Sequence, residues 1–215
     1  LVDRADTELE GRLPYAFDHK LGYLTACPTN LGTGMRASVM LHLPALVLTD
    51  QVNQVIKAVH KIGLAVRGLY GEGTDALGNL FQISNQHTLG ERESEIILQI
   101  EKVIERVISS EQAARAKLRE DNLTMLSDQV GRAYAILKYA HILSSKEALN
   151  LLSMLRLGAD LDMIPNCDRS VLDILLLENQ PAHLQLLAKR ELSAEERDAL
   201  RAEITRQRLQ SIEGP

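Results

Sequence analysis

A cysteine, a glycine-rich turn and an arginine stand close together near the start of the chain, in the sequence CPTNLGTGMRASVMLHLP at 27–44. Cys27 has a side chain that can form a thiolate. Gly32 and Gly34 allow a left-handed backbone or a close approach to a ligand. Arg36 carries a permanent charge on a planar group that fits phosphate oxygens. The stretch predicts an anion site beside a strand, although many short glycine-rich loops are only turns.

A second stretch, RGLYGEGTDALGNLFQISN at 67–85, adds an arginine and a carboxylate. Arg67 lies within an alternating strand pattern at 64–70, opposite Leu64 and Val66, and Glu72 stands between two glycines in a loop pattern. Without further context, Arg67 would be a solvated strand arginine and Glu72 an exposed loop residue. The two stretches together therefore indicate a binding site only if their combination has a known meaning.

That combination resembles the signature motifs of the ATP:guanido phosphotransferases, in the same order and with compatible spacing. The particular residues of the two motifs, and a chain that continues far past the kinase core, make the sequence similar to the bacterial protein arginine kinases. The resemblance implies transfer of the γ-phosphoryl group from ATP, with Mg²⁺, to arginine side chains of proteins. It also implies a role in bacterial stress response, where phosphoarginine marks proteins for degradation by the Clp protease.

The resemblance assigns roles to single residues of both motifs. Arg36 and Arg67 would contact the nucleotide phosphates, with Ser38 on the same strand face as Arg36. Glu72 would hold and orient the acceptor guanidinium, which is a poor nucleophile while protonated. Cys27 would lie beside that guanidinium and tune it electrostatically, without carrying phosphate. Neither motif predicts a metal site made of protein side chains.

The sequence departs from the phosphagen kinases, which act on free guanidino compounds, at several motif positions. Met40 stands where many of them have histidine, so His42 is interpreted as a structural residue. Tyr70 and Gly73 replace a basic and a bulkier residue, which fits a more open acceptor site. A kinase for free arginine or creatine remains the first alternative. A catalytically inactive phosphoarginine-binding or dimerisation fragment is the second.

The motif ERDALRA at 196–202 lies in the second half of the chain. Alone it is typical of a solvated helix face. It resembles the RDxxRA motif of protein arginine kinases, which implies a phosphoarginine-binding pocket formed by Arg197, Asp198 and Arg201. A carboxylate for the guanidinium and an arginine for the phosphate form a physically sensible pair.

Composition limits the class of protein. The chain has 215 residues, 45% of them hydrophobic and 25% charged, with a net charge of −5, which predicts a soluble globular protein without nucleic-acid binding. No apolar run approaches the roughly 18 residues that a membrane helix needs. Cys27 and Cys167 occur without a CxxC motif, which argues against a zinc site and favours the reducing cytoplasm.

Hydrophobic periodicity predicts an α+β fold with a mainly antiparallel sheet covered by helices, followed by a small all-α domain. We expect the guanido kinase catalytic domain over 1–119 and a helical dimerisation and phosphoarginine-binding domain over 120–215. In 1–119 the patterns indicate strands at 21–25, 37–43, 64–70 and 79–85, a helix after Thr49 and a long helix at 93–119. In 120–215 they indicate helices at 125–140, 145–157, 169–177, 182–188 and 194–209.

The chain begins at Leu1, and 26 residues precede Cys27. The resemblance implies that an upstream region supplies further phosphate-binding arginines and a second catalytic carboxylate. We therefore expect the carboxy-terminal portion of a longer kinase, with little or no turnover by itself. The implied partners are proteins with exposed arginines, including a stress-gene repressor, the Clp protease system and a second copy of the chain.

Overall fold

The computed structural model describes residues 1–68, 76–210 and 212–215. Helices run over Val2–Glu10 (α1), Pro44–Leu48 (α2), Val52–Lys61 (α3), Glu93–Asp121 (α4), Leu123–Tyr139 (α5), Ser145–Asp160 (α6), Arg169–Glu178 (α7), Pro181–Ala188 (α8) and Ala194–Arg208 (α9). Strands run over Phe17–Asp18 (β1), Gly22–Tyr23 (β2), Ser38–His42 (β3), Leu64–Gly68 (β4) and Leu80–Asn85 (β5), with 3₁₀ turns at Pro28–Asn30 and Leu77–Asn79.

The strands form two small sheets. Strands β1 and β2 pair antiparallel, and β5 lies between β3 and β4 in the second sheet. Next to β3 and β5, the Asn85 amide donates to the Ala37 carbonyl at 3.3 Å and the Leu43 amide to the Asn79 carbonyl at 2.9 Å. Because the partner number falls as the residue number rises, β3 and β5 run antiparallel. The α+β class predicted from the periodicity is confirmed.

The chain folds as two compact units, one made of 1–40, 55–66 and 82–107, the other of 41–54, 67–81 and 108–215. The second unit thus combines residues 108–215, which include the helical tail at 120–215, with two segments from the first half of the chain. The domain boundary expected at 119/120 stays a prediction. Helix α4 continues through that position to Asp121, two residues beyond the predicted end.

Helix α4 is amphipathic, as its sequence predicts. Its buried positions follow one another at intervals of three or four residues, which places them on one face. Those residues are Ile96, Ile100, Val103, Val107, Glu111, Ala114 and Leu118. Ile97 and Ile108, two further isoleucines of the same helix, are exposed. The buried face is therefore narrower than the hydrophobic pattern suggests.

The core of the second unit is an aliphatic cluster contributed chiefly by α5, α6, α7 and α9. Two helix caps occur at its edges. The Ser144 hydroxyl accepts from the Glu147 amide at 3.2 Å, and Ser193 forms a capping box with Glu196. These caps begin α6 and α9 at positions that the sequence indicates. In the part of the chain that the structure describes, no helix is long and apolar enough to cross a membrane.

Helix α2 was not predicted from the sequence. It has five residues and begins at Pro44, which is well suited to the first turn of a helix because its missing N–H is not needed there. A hydrophobic period cannot be recognised over so few residues. From the sequence, Pro44 predicts only the end of the preceding strand.

Candidate functional site

Arg36 lies just before β3 with its side chain exposed at the surface of the first unit. Its Nη2 donates to the hydroxyl of Ser84 at 3.1 Å, and Ser84 is buried on β5. A buried hydroxyl is a fixed acceptor, so it restricts the orientation of a guanidinium that is otherwise open to solvent. The geometry suits an arginine that receives an anionic ligand from outside.

Asn85 fixes the backbone on both sides of Arg36. Its Oδ1 accepts from the Ala37 amide at 2.9 Å, and its Nδ2 donates to the Met35 carbonyl at 3.1 Å. The same Nδ2 also donates to the His87 carbonyl at 3.0 Å. The side chain is buried, where satisfied polar groups specify one local geometry. Asn85 therefore holds the position from which Arg36 extends.

Ser38 is exposed on β3, and its hydroxyl accepts from Gln82 Nε2 at 3.0 Å. Arg36, Ser38 and Met40 are exposed, whereas Ala37 and Val39 between them are partly buried. The predicted alternation therefore holds to Met40. It places Ser38 on the same face as Arg36, as expected.

His42 departs from that alternation. Its Nε2 lies 2.7 Å from the Ser153 hydroxyl, and burial with positive charge from nearby arginines lowers the pKa of His42 to about 3. The ring is therefore neutral near pH 7. His42 is not open to solvent as Arg36 is, because α6 packs on the end of β3. The interpretation of His42 as a structural residue agrees with this placement.

Cys27 is exposed at the start of the 3₁₀ turn Pro28–Asn30. Its Sγ lies 3.0 Å from Thr29 Oγ1. The Thr29 side chain, and then the Thr29 backbone N–H, lower the pKa of the Cys27 thiol by hydrogen bonding to the thiolate. Cys167 differs, because burial and the charge of Asp168 raise the pKa of its thiol.

This contrast predicts that iodoacetamide labels Cys27 faster than Cys167, with a rate that persists to lower pH. Thiolate is the reactive form, and a lowered pKa keeps it populated as the pH falls. Thr29→Val should raise the pKa of Cys27 and move its rate profile towards higher pH. Peptide mass spectrometry at several pH values measures both sites in one sample.

Cys167 serves as the internal control in that experiment, since Thr29→Val should leave its profile unchanged. Equal labelling rates for the two cysteines, or a Cys27 profile insensitive to Thr29→Val, would contradict the assignment of a tuned thiolate.

Arg67 is exposed on β4 and belongs to the second unit. Among the described residues no hydrogen-bond or ion-pair partner is present for its guanidinium. Glu72, Tyr70 and Gly73 lie outside the described residues. The roles that the resemblance gives to Arg67 and Glu72 therefore stay predictions.

The three residues of the tail motif lie on α9 in different environments. Arg197 is half-buried and its Nη1 donates to the Leu192 carbonyl at 2.6 Å. Arg201 is only 1% exposed; its Nε donates to the Asn179 carbonyl at 3.0 Å and its Nη1 to the Leu143 carbonyl at 2.7 Å. Nη1 also pairs with Asp198 Oδ1.

Arg201 is thus largely committed to the interior of the second unit. Its hydrogen bonds connect α9 to two loops, the one between α5 and α6 and the one between α7 and α8. Its ion pair orients the half-buried Asp198 carboxylate. Arg201 is therefore not part of a solvated helix face, because carbonyls distant in sequence surround it. Its predicted role in a phosphoarginine-binding pocket stays a prediction.

A cavity of about 540 Å³ lies in the first unit, between the β2 region and the start of α4. Its lining includes Tyr23, Gly32, Thr88 and Arg92. Cys27, Arg36 and Ser38 do not line it. The residues with the clearest chemical potential therefore lie on an open surface and not in this cavity.

Sequence reasoning overlooked Ser84 as a partner of Arg36 and Asn85 as the residue that fixes the backbone on both sides of it. Both residues lie at the end of the second motif, in QISN. Their polar side chains at the end of an otherwise apolar strand were the available signal, since buried polar groups require partners. The partner itself is 48 residues away and cannot be recognised locally.

Comparison with known proteins gives two family matches. Residues 1–114 match the model of the ATP:guanido phosphotransferase C-terminal catalytic domain, and residues 123–215 match the model of the protein-arginine kinase McsB C-terminal domain. A solved structure of lombricine kinase is 35% identical, covers 53% of this chain and 30% of its own, and superposes with a TM-score of 0.43.

Curated relatives cover nearly all of the chain. A protein-arginine kinase of Moorella thermoacetica is 54% identical over 97% of this chain and 60% of its own length. One from Geobacillus thermodenitrificans is 51% identical over 97% of this chain and 57% of its own. The chain thus spans about three fifths of these relatives. With the catalytic-domain model matching more than half of its residues, the chain belongs to the ATP:guanido phosphotransferase family.

Proposed function

We propose that the full-length gene product containing this chain transfers the γ-phosphoryl group of ATP to arginine side chains of proteins. The observation that carries this proposal is Arg36, which the buried Ser84 and Asn85 hold at the surface with its guanidinium exposed. Identity of about half the residues to protein-arginine kinases supports the same reaction.

In this reaction the chain contributes positioning and electrostatics. Arg36 and Arg67 bind phosphate oxygens, and Ser38 lies beside Arg36. Glu72 orients the acceptor guanidinium and helps to remove its proton. Cys27, with a thiolate favoured by Thr29, places negative charge near the acceptor. Such preorganised charges account for most of the catalysis in phosphoryl transfer.

In the proposed reaction Mg²⁺ binds together with ATP. Across residues 1–68, 76–210 and 212–215, no three His, Cys, Asp or Glu side chains come together in a way that could hold a metal ion. Mg²⁺ commonly binds through phosphate oxygens and water with few protein ligands. In this proposal Mg²⁺ would therefore be held mainly by the phosphate oxygens of ATP and would offset their negative charge.

The experiment that tests this function is mass spectrometry of casein after incubation with the full-length protein, Mg²⁺ and ATP, beside an assay with free arginine. Phosphoarginine in casein with little phosphorylation of free arginine supports the proposal. Efficient turnover of free arginine alone would favour a phosphagen kinase.

The biological setting follows from the same proposal. The kinase acts in the bacterial stress response, where phosphoarginine marks proteins for the Clp protease and inactivates a stress-gene repressor. It works in the cytoplasm, in keeping with two free cysteines. The helical region supports a homodimer; α7 and α8 carry exposed leucines at 177, 186 and 187 that fit such a contact.

A second function fits α9, namely binding of phosphoarginine outside the catalytic centre. Arg197 contacts the phosphate and the Asp198 carboxylate receives the guanidinium. The burial of Arg201 favours an indirect role in which it orients Asp198. The proposed site for a phosphoarginine peptide thus consists of one cation, Arg197, and one carboxylate, Asp198, on the same helix.

Arg197→Ala should weaken binding of a phosphoarginine peptide by at least about tenfold, because a charge-assisted bond to phosphate is worth about 1.5–3 kcal/mol. Isothermal titration of this chain measures the change. Arg208→Ala is the matched control, since Arg208 lies on the same helix but pairs with Glu178. Equal affinities of the Arg197→Ala and wild-type chains would contradict the proposed pocket.

A further inference from the structure

Helix α6 of the helical tail contacts the 3₁₀ turn Leu77–Asn79. This turn belongs to the kinase half of the sequence, the predicted catalytic domain at 1–119. The Gly78 amide donates to Asn150 Oδ1 at 3.0 Å, and Asn79 Nδ2 donates to the Ser153 hydroxyl at 2.7 Å. Asn150 and Ser153 are three residues apart, so they occupy one face of α6. Both contacts lie within the second unit.

The turn fits closely against this face. Gly78 and Asn79 have φ of 65° and 54°, which is the left-handed region. A Cβ at position 78 would lie only 3.2 Å from the Leu149 carbonyl oxygen. The Asn79 carbonyl accepts from the Leu43 amide at 2.9 Å. Glycine and asparagine tolerate this conformation better than most other residues.

Ser153 connects the turn to the end of β3. The residue is 1% exposed, and its hydroxyl lies 2.7 Å from both Asn79 Nδ2 and His42 Nε2. One buried hydroxyl of the tail thus binds side chains from two separate segments of the kinase half. Buried networks of this kind fix one arrangement because breaking a bond leaves an unsatisfied polar group.

The turn is the downstream end of a segment with predicted catalytic residues. That segment starts after Arg67 on β4, includes Glu72 in its sequence and ends at Leu77–Asn79. Within the described residues, Asn150 and Ser153 bind the turn that directly follows this segment in the sequence. We propose that Asn150 and Ser153 are positioning residues for phosphoryl transfer to protein arginine, acting through this anchor.

This inference rests on the proposed function and adds to it that the tail takes part in catalysis. Helix α6 lies in the region that matches the carboxy-terminal domain of protein-arginine kinases, outside the match to the guanido kinase catalytic domain. The two contacts therefore give the kinase half a support from residues that its own domain does not supply.

Asn150→Leu in the full-length protein tests the anchor, because leucine has a similar volume but no acceptor for the Gly78 amide. We expect kcat with casein to fall about tenfold, as small misplacements of reacting groups have large effects on rate. The KM for ATP should change little, and the Tm should fall by only a few degrees, the cost of about one hydrogen bond. Asn150→Asp retains an oxygen at this position and should restore kcat.

Glu147→Gln is the matched control, since Glu147 is exposed in the first turn of the same helix. Hydrogen exchange of the Gly78 amide gives a readout that does not need activity. It should accelerate in Asn150→Leu and return towards the wild-type rate in Asn150→Asp.

Three results would overturn the inference. These are unchanged kcat in Asn150→Leu, a loss of kcat that Asn150→Asp shares, and parallel losses in kcat, ATP affinity and Tm, which indicate a purely structural residue. A wild-type protein that phosphorylates no protein arginine would overturn the proposed function itself, and the inference with it. The two failures are therefore distinguishable.

Discussion

Arg36→Lys in the full-length gene product should lower kcat/KM for phosphoryl transfer by about 10³-fold, within the range known for arginines at a transferring phosphoryl group. Lysine keeps the charge but lacks the planar set of donors that can bind two phosphate oxygens and a protein hydroxyl together. Arg36 needs that geometry, because one of its donors is already engaged with Ser84.

The expected loss is a loss of positioning and not of folding. Arg36 is exposed, and the backbone at this point is held by Asn85 through the Met35 carbonyl and the Ala37 amide. Those contacts do not involve the Arg36 side chain. The Tm of Arg36→Lys should therefore equal that of the wild type within about 2 °C, as for other surface changes.

Two further variants complete the experiment. Ser84→Ala removes the partner that orients Arg36 and should raise the KM for ATP by about tenfold or less, the value of one hydrogen bond to a charged group. Arg132→Lys changes an exposed arginine on α5 and should have no effect. Turnover of Arg36→Lys within a few-fold of the wild type would contradict the phosphate-binding role.

Local patterns predicted the parts of the fold and site that depend on local chemistry. The period of two along β3 placed Arg36 and Ser38 on the open face, because side chains alternate in any strand. Ser193 and Glu196 have the spacing of a capping box, which predicts the start of α9, since both bonds are formed within four residues.

The same patterns failed where residues distant in sequence decide the outcome. His42 continues the alternation of β3, yet it binds Ser153, 111 residues away. Arg201 continues a polar helix face, yet it is buried against the Leu143 carbonyl, 58 residues away. The local sequence does not indicate hydrogen-bond partners that are so distant. Buried polar side chains are thus the positions at which sequence reasoning needs a structure.

Glu111→Gln should lower the Tm of this chain by about 6–12 °C, which corresponds to a loss of about 3 kcal/mol in the free energy of unfolding for a protein of this size. The side chain of Glu111 on α4 is 6% exposed. Its oxygens accept from the Ala45 amide at 3.1 Å and the Leu46 amide at 2.9 Å, the first turn of α2.

A glutamine cannot replace these contacts. Its amide nitrogen is a donor, so one of the two α2 amides would face another N–H group. It also carries no charge for Arg115, whose Nε lies 2.7 Å from Glu111 Oε1. Breaking a buried ion pair from one side is costly because the remaining charge stays buried.

The charge that Glu111→Gln leaves behind is only partly compensated. Arg115 Nη1 also pairs with Asp160 at 2.9 Å, and Asp160 pairs in turn with Arg169 at 3.4 Å. The expected loss is therefore at the lower end of the 3–5 kcal/mol typical for a buried pair broken from one side. Differential scanning calorimetry measures it, with Glu101→Gln on the exposed face of α4 as the control.

Arg115→Met in combination with Glu111→Gln separates the charge effect from the lost amide contacts. If the stranded arginine causes most of the loss, the double variant should be more stable than Glu111→Gln alone, because no unpaired cation remains at this position. If the amides of Ala45 and Leu46 dominate, the second change should bring no recovery. A Tm of Glu111→Gln equal to that of Glu101→Gln would show that α2 does not depend on this carboxylate.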